Sequence, residues 1–337
     1  MRLSNVLPFI TYAISTYVLI APAFTVNQFN LSPWLSFLIV SIPFGGRIIG
    51  SIIYQRVIVL GTRTVFASAM ISLGVLSVLS SIDDVYTIIP LRFLVGVAFG
   101  IATSLAVEKA TRSGNRLIVA LTMSGWAVGW IMGAISYLAL KYWSLIALSG
   151  IITVPFSIQK MESEPLIVVK QSLPTLSSVL IFLFSFEPAF VLQLAPYVVD
   201  SYGGIYWLII GYIISIPMYL IVPTLSSSLG ELKTVIIYTS TSATTGVLFF
   251  LTSSPYLLIP FTAFGLGINS LAPRLALAYG ANARNMGIAL NLAALGGVII
   301  PVVSTINIRI VASLITVISM ALLLVMKVRK GEGIVVQ

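Results

Sequence analysis

Glu187, Arg47 and Arg92 are the strongly charged side chains that fall well inside long apolar runs of this 337-residue chain. A charge near the centre of a bilayer costs roughly 2.5–3.5 kcal/mol on insertion scales, so each needs a partner, a wet cavity or a ligand. Glu187 lies about 20 Å beyond Pro174 at about 1.5 Å per helical residue, near mid-depth. Pro188 follows it, removes a backbone donor and favours a local helix break. A carboxyl beside an interrupted helix can serve as a coupling or substrate site and exchange a proton. The alternative is a Glu187 locked to a neighbouring arginine or hydroxyl. Arg47 lies about 20 Å past Trp34, and Arg92 about 9 Å past Tyr86. Each guanidinium offers a fork that fits a carboxylate or phosphate. For Arg47 the competing reading is helix packing or a reach to the inner interface.

Uncharged polar candidates are Asn27, Gln28, Gln193, Asn269 and Asn291, whose amides can either join helices or touch a solute. Trp126 and Trp130 flank Gly129 and could line a cavity or face lipid. The ladders Gly96, Gly100 and Gly125, Gly129, Gly133 read as packing devices, since small residues at four-residue spacing let helix backbones approach closely. Tyr197, Tyr202, Tyr206 and Trp207 fit an interfacial aromatic belt. No cysteine and no histidine is present, which removes thiol chemistry and the commonest metal ligand. A phosphate-cradling glycine loop is absent too. Asp83-Asp84 is an adjacent pair without the spacing of a metal cluster. Neither an enzyme nor a cofactor is implied.

These side chains need elements to hold them. With 18 Lys and Arg, nine Asp and Glu and 58% hydrophobic residues, and a mean hydropathy of +1.09, the chain lacks polar surface to face water on all sides. A bilayer core of about 30 Å takes about 20 apolar residues per helical crossing. Twelve runs qualify, near residues 6–26, 34–57, 64–81, 86–107, 117–140, 143–158, 174–199, 204–227, 233–252, 254–273, 285–305 and 307–327. With the amino terminus inside, inner connections carry 14 basic residues, among them Arg56, Arg63, Arg112, Arg116, Arg274 and Arg284. Outer ones keep Lys141 and Arg309 beside Asp83, Asp84 and Asp200. That bias is the positive-inside rule, so the net charge of +9 reports topology and implies no nucleic-acid partner. The first run could instead be a signal peptide cleaved near Ala21-Pro22-Ala23, but its loss would leave an odd span count and spoil the charge pattern.

A mixed stretch over 159–173 separates two halves of six runs. Phe99-Gly100-Ile101 is matched by Leu266-Gly267-Ile268, and Asn115-Arg116 by Arg284-Asn285, at an offset of about 167 residues. Parallel duplication of six-span halves is a known transporter architecture. The fourth run, with Pro90, Arg92, Gly96 and Gly100, resembles the fourth-span pattern of the major facilitator superfamily. A weaker likeness runs from Gly46-Arg47 through Arg56 to Gly61-Thr62-Arg63, where that family places a loop of glycine, aspartate and basic residues. Here Tyr54 or Gln55 occupies the aspartate position. Leu229-Gly230-Glu231-Leu232-Lys233 is its abbreviated counterpart. The resemblance implies a role for Arg92 in coupling or conformational change. The Gly125, Gly129, Gly133 ladder overlaps the family's antiporter signature but lacks its proline, so export is not inferred.

The resulting expectation is an all-α polytopic membrane protein, with twelve transmembrane helices in two pseudo-symmetric six-helix bundles. Residues 1–158 form the first, 159–173 a cytoplasmic linker, and 174–337 the second with a short cytoplasmic tail. The expected function is secondary active transport of a small polar or anionic solute by alternating access, as symporter or antiporter, with proton coupling. Substrate or coupling candidates are Glu187, Arg92, Arg47, Asn269, Asn291, Gln193 and Trp126. Gly96, Gly100, Gly125, Gly129, Gly133 and Pro188 serve packing and conformational change. A monomer in the cell membrane with both termini cytoplasmic is expected, its partners being the solute and the lipid bilayer. The rivals are an uncoupled facilitator, an integral-membrane lipid enzyme and a non-transporting receptor.

Overall fold

A computed structural model describes residues 3–29, 31–82, 84–159, 172–195, 198 and 204–333, and these contain helices and turns but no strand. The linker over 160–171 lies outside the described residues, as do Asp83, Tyr197, Asp200, Tyr202 and the side chain of Asn27. Eleven helices are long and apolar enough to cross a membrane. In hydrocarbon a helix satisfies its own backbone groups, which is why runs of this composition fold this way. In the first half they are span 1 (Asn5–Phe24), span 2 (Trp34–Leu60), span 3 (Thr62–Leu79), span 4 (Val85–Arg112) and span 5 (Arg116–Leu140). In the second they are span 7 (Leu176–Leu194), span 8 (Gly204–Leu229), span 9 (Glu231–Thr252), span 10 (Pro255–Ala278), span 11 (Ala283–Ile300) and span 12 (Ile308–Met326).

The sixth element departs from expectation. Trp143–Phe156 is a shorter apolar helix, interrupted by a 3-10 turn at Gly150–Ile152. Pro155 has no N–H to offer the carbonyl of Ile151. Gly150 lets the Ser77 side chain of span 3 press against the backbone. Side-chain bonds to backbone then tie the element to span 3: Trp143 Nε1 to the Ser80 carbonyl at 2.8 Å and Thr153 Oγ1 to the Met70 carbonyl at 2.8 Å.

Within the first bundle, glycines decide which helices touch. A Cβ on Gly46 or Gly50 of span 2 would collide with the carbonyls of Phe93 or Val97, and one on Gly96 or Gly100 of span 4 with those of Pro43 or Arg47. The two backbones are in direct contact through interleaved glycines, the arrangement small residues permit in lipid. Gly125 and Gly129 of span 5 do the same against Phe9 and Ala13 of span 1. Both ladders are packing devices inside one bundle. Gln28 also packs, its Oε1 accepting from the Trp143 N–H at 3.0 Å and its Nε2 donating to the Lys141 carbonyl.

The two halves repeat each other in backbone detail. Gly61 ahead of span 3 has φ 97 and ψ 142, and Gly230 ahead of span 9 has φ 84 and ψ 144. Left-handed Gly114 and Gly280 occupy the corresponding turns before spans 5 and 11. Positive φ at those four turns is open to glycine at no steric cost. Across the molecule, spans 2 and 4 pack on span 11, and span 5 packs on span 8.

Candidate functional site

Four of the spanning helices are interrupted along their length. Span 1 is α-helical to Ile20 and continues as a 3-10 turn over Ala21–Phe24. Span 7 holds its α-helix through Pro188 to Val191 before a 3-10 turn at Leu192–Leu194, so the break falls after the proline and not at Glu187. Span 10 is interrupted between Ile268 and Ala272, because Pro273 cannot donate to the carbonyl of Asn269. Span 11 is interrupted after Leu292, one residue beyond Asn291.

Arg47 of span 2 is fully buried beside the break in span 11. Its Nε donates to Asn291 Oδ1 of span 11. Asn291 Nδ2 donates onward to Ser104 Oγ at 2.9 Å and to the Gly100 carbonyl at 3.3 Å, both on span 4. The guanidinium carbon lies 4.9 Å from the Phe99 ring centroid and 5.7 Å from that of Trp126. The Tyr12 hydroxyl of span 1 sits beside it. Neither terminal guanidinium nitrogen has a hydrogen-bond partner, and among the described residues no carboxylate pairs with it. Cation–π contact yields about 0.5–2 kcal/mol, whereas burying an ion costs several. Ring contacts and one amide therefore leave much of that cost standing.

Other orphaned polar atoms gather on the same interface. Trp126 and Trp130 have unpartnered indole N–H groups, and Tyr12, Tyr212 and Tyr219 unpartnered hydroxyls. Trp130 of span 5 stacks on Tyr212 of span 8 with centroids 5.4 Å apart. The Tyr219 hydroxyl lies beside the Asn269 amide and near Tyr12, yet Asn269 completes no hydrogen bond. Gln193 is buried with both amide atoms unpartnered. Phe44 and Trp126 of the first bundle meet Phe190 of span 7 at centroid distances of 5.9 and 6.5 Å.

Arg92 and Glu187 lie elsewhere. Arg92 donates to the carbonyls of Val18, at 2.9 Å, and Leu19 and lies over the Trp143 ring. Pro22 supplies no N–H to Val18, so Arg92 caps an acceptor that the helix itself leaves open. It is held inside the first bundle and does not share Arg47's surroundings. Glu187 accepts from Thr316 Oγ1 of span 12 at 3.1 Å, inside the second bundle, and its second oxygen is unpartnered. Of the two partners named for a locked Glu187, an arginine or a hydroxyl, the described residues supply the hydroxyl.

A second inter-bundle cluster, at the end of the molecule expected to be cytoplasmic, was not singled out from sequence. Glu108 of span 4 pairs with Arg112 at 2.8 Å and with Arg284 of span 11 at 2.9 Å. It also accepts from the Tyr54 hydroxyl of span 2 at 2.8 Å. Ser172, at the start of the second half, is tied in by Gln55, Asn282 and Asn285. Glu108 and Arg284 sit where apolar runs end, so each alone reads as an ordinary interfacial charge.

Two six-span bundles meeting around a buried polar centre define a class, the major facilitator fold, in a multi-pass membrane protein. The crystal structure of the human organic anion transporter MFSD10 (TETRAN) matches with a TM-score of 0.73 at 12% identity, covering 97% of this chain and 100% of that one. No protein-family model and no curated protein matches the sequence. The likeness is one of fold, and it bears out the architecture expected from the span count and the fourth-run residues.

Proposed function

We propose that this chain is a secondary carrier that moves a small anionic solute by alternating access, binding it at Arg47 between the two bundles. The observation that carries the reading is a fully buried arginine on that interface which, among the described residues, has two unpartnered terminal nitrogens and no carboxylate paired to it. A solute carboxylate or phosphate would supply the missing counter-charge through a bidentate fork. The indole N–H of Trp126 and the Tyr12 hydroxyl would add donors, and the surrounding rings would take an apolar body. Asn269, Asn291 and Gln193 would fix orientation, since amides both donate and accept. The description of the human neighbour as an organic anion transporter agrees with an anionic solute.

Glu187 is the proposed proton-coupling group, removed from the solute and held by Thr316 in the second bundle. Its unpartnered oxygen supports this reading over one in which the carboxyl is locked. The protein is proposed to act as a monomer in the cell membrane with both termini cytoplasmic. Reconstitution into proteoliposomes tests the whole reading. Organic anions should accumulate when an inward proton gradient is imposed and should not when it is collapsed. Equal uptake under both conditions would leave an uncoupled facilitator, and uptake confined to neutral or cationic solutes would remove Arg47 from its role.

A further inference from the structure

A crevice of about 190 Å³ opens at the cytoplasmic side, far along the spans from Arg47. One wall is the turn between spans 4 and 5, with Thr111, Gly114 and Arg116; the other belongs to spans 8 and 10, with Pro223, Ser270 and Arg274. We propose that this crevice binds the phosphate of an anionic phospholipid, with Arg116 and Arg274 as its cationic partners.

Three features select that ligand. First, two arginines from different bundles line one small space, and no carboxylate stands among its described lining residues. Arg116 is solvent-exposed and makes no ion pair among the described residues. Arg274 keeps Glu231 at 2.9 Å through Nε. Second, Thr111 Oγ1 is shielded from solvent and has no hydrogen-bond partner, so a donor already stands there for a phosphate oxygen. Third, the floor is apolar, with Val119, Leu271 and Leu277. Leu117 and Leu277 are 55% and 44% exposed beside it, which continues the apolar surface towards lipid. Cationic rim and apolar floor together fit an amphipathic anion. Basic pockets between helices on the cytoplasmic side are where anionic headgroups bind.

A ligand seated here would touch both bundles. It would stabilise the arrangement in which their cytoplasmic ends meet and lose contacts whenever they part, so its binding is linked to that equilibrium.

The test uses the full chain purified in neutral detergent. Phosphatidylglycerol, phosphatidylcholine and inorganic phosphate are titrated separately, with binding followed by native mass spectrometry and thermal unfolding. Phosphatidylglycerol should bind and raise the unfolding midpoint, while the other two at equal concentration should not. Arg116→Gln, at a side chain without hydrogen bonds or ion pairs among the described residues, and the Arg116→Gln/Arg274→Gln pair should weaken phosphatidylglycerol tenfold or more. Arg309→Gln, on the outer side, should leave binding unchanged. Undiminished binding in both crevice variants would overturn the site. Inorganic phosphate binding as tightly as the lipid would overturn the lipid assignment.

Discussion

Arg47 and Arg92 are both fully buried, yet their surroundings give them different work. Arg92 spends two nitrogens on the carbonyls of Val18 and Leu19, so its charge is met by fixed dipoles of span 1. Arg47 has one amide, two ring faces and two idle nitrogens. Lysine keeps the charge but loses the planar fork. Arg47→Lys should therefore weaken solute affinity about tenfold or more, about 1.4 kcal/mol for each factor of ten, in a protein that still folds. Arg92→Lys should instead lower thermal stability and leave affinity near the parent's. Binding titrations beside melting curves separate the two, and an Arg92→Lys variant that selectively loses affinity would reverse the assignment. At Glu187 the proposal predicts that Glu187→Gln abolishes gradient-driven accumulation while solute exchange between two equal pools persists. Accumulation that stays fully dependent on the proton gradient in that variant would return Glu187 to a structural role with Thr316.

Helices in this molecule are of two kinds, and the difference sorts rigid from mobile contacts. Spans 2 and 4 share a backbone-to-backbone seam through Gly46, Gly50, Gly96 and Gly100. Such a seam has no slack, because a single added methyl meets a carbonyl. Gly96→Ala or Gly100→Ala should cost about 1–3 kcal/mol, the usual range for overpacking, read as a lower melting temperature. Contacts between bundles include a close glycine approach, Gly287 on Ser104, but otherwise draw on side chains: the Glu108–Arg284 pair, the Arg47–Asn291 bond, the Trp130–Tyr212 stack and the Phe44–Phe190 contact. Side chains like these can separate and re-form without breaking a helix. Glu108 joins spans 2, 4 and 11 through Tyr54, Arg112 and Arg284, so it forms a latch at that end of the three spans. Glu108→Gln should open that side more often. A cysteine placed at Ser104, which packs against Gly287 of span 11, should then react faster with a thiol reagent applied from the cytoplasm. An unchanged rate would mean that the pair adds little to closure.

At the scale of the whole molecule, much was legible because the bilayer imposes a one-dimensional code. Run length located eleven of the helices among the described residues, and basic residues between runs give an expected orientation. The sixth helix, Trp143–Phe156, falls within the run read as 143–158, but hydropathy does not register its interruption at Gly150 and Pro155. The site was half legible. Burial of Arg47, Arg92 and Glu187 follows from their depth, but which one looks across the interface depends on rotation about the helix axis, which apolar sequence does not encode. Tyr12, Tyr212, Tyr219 and Glu108 were passed over since tyrosines abound in such chains and span-end charges are commonplace. The left-handed glycines offered a better clue to duplication than the matched triplets, because Gly61 and Gly230 share one backbone conformation at equivalent turns. Those turns also make the topology testable. With no native cysteine, single cysteines at Arg63, Asn115 and Leu232 should be labelled only from the inside, and ones at Ser81 and Asn307 only from the outside. The two inner sets belong to different halves, so a parallel duplication requires them to agree. Labelling of Arg63 and Leu232 from opposite faces would break the six-plus-six arrangement and the orientation together, and with them the placing of the Glu108 latch on the cytoplasmic side.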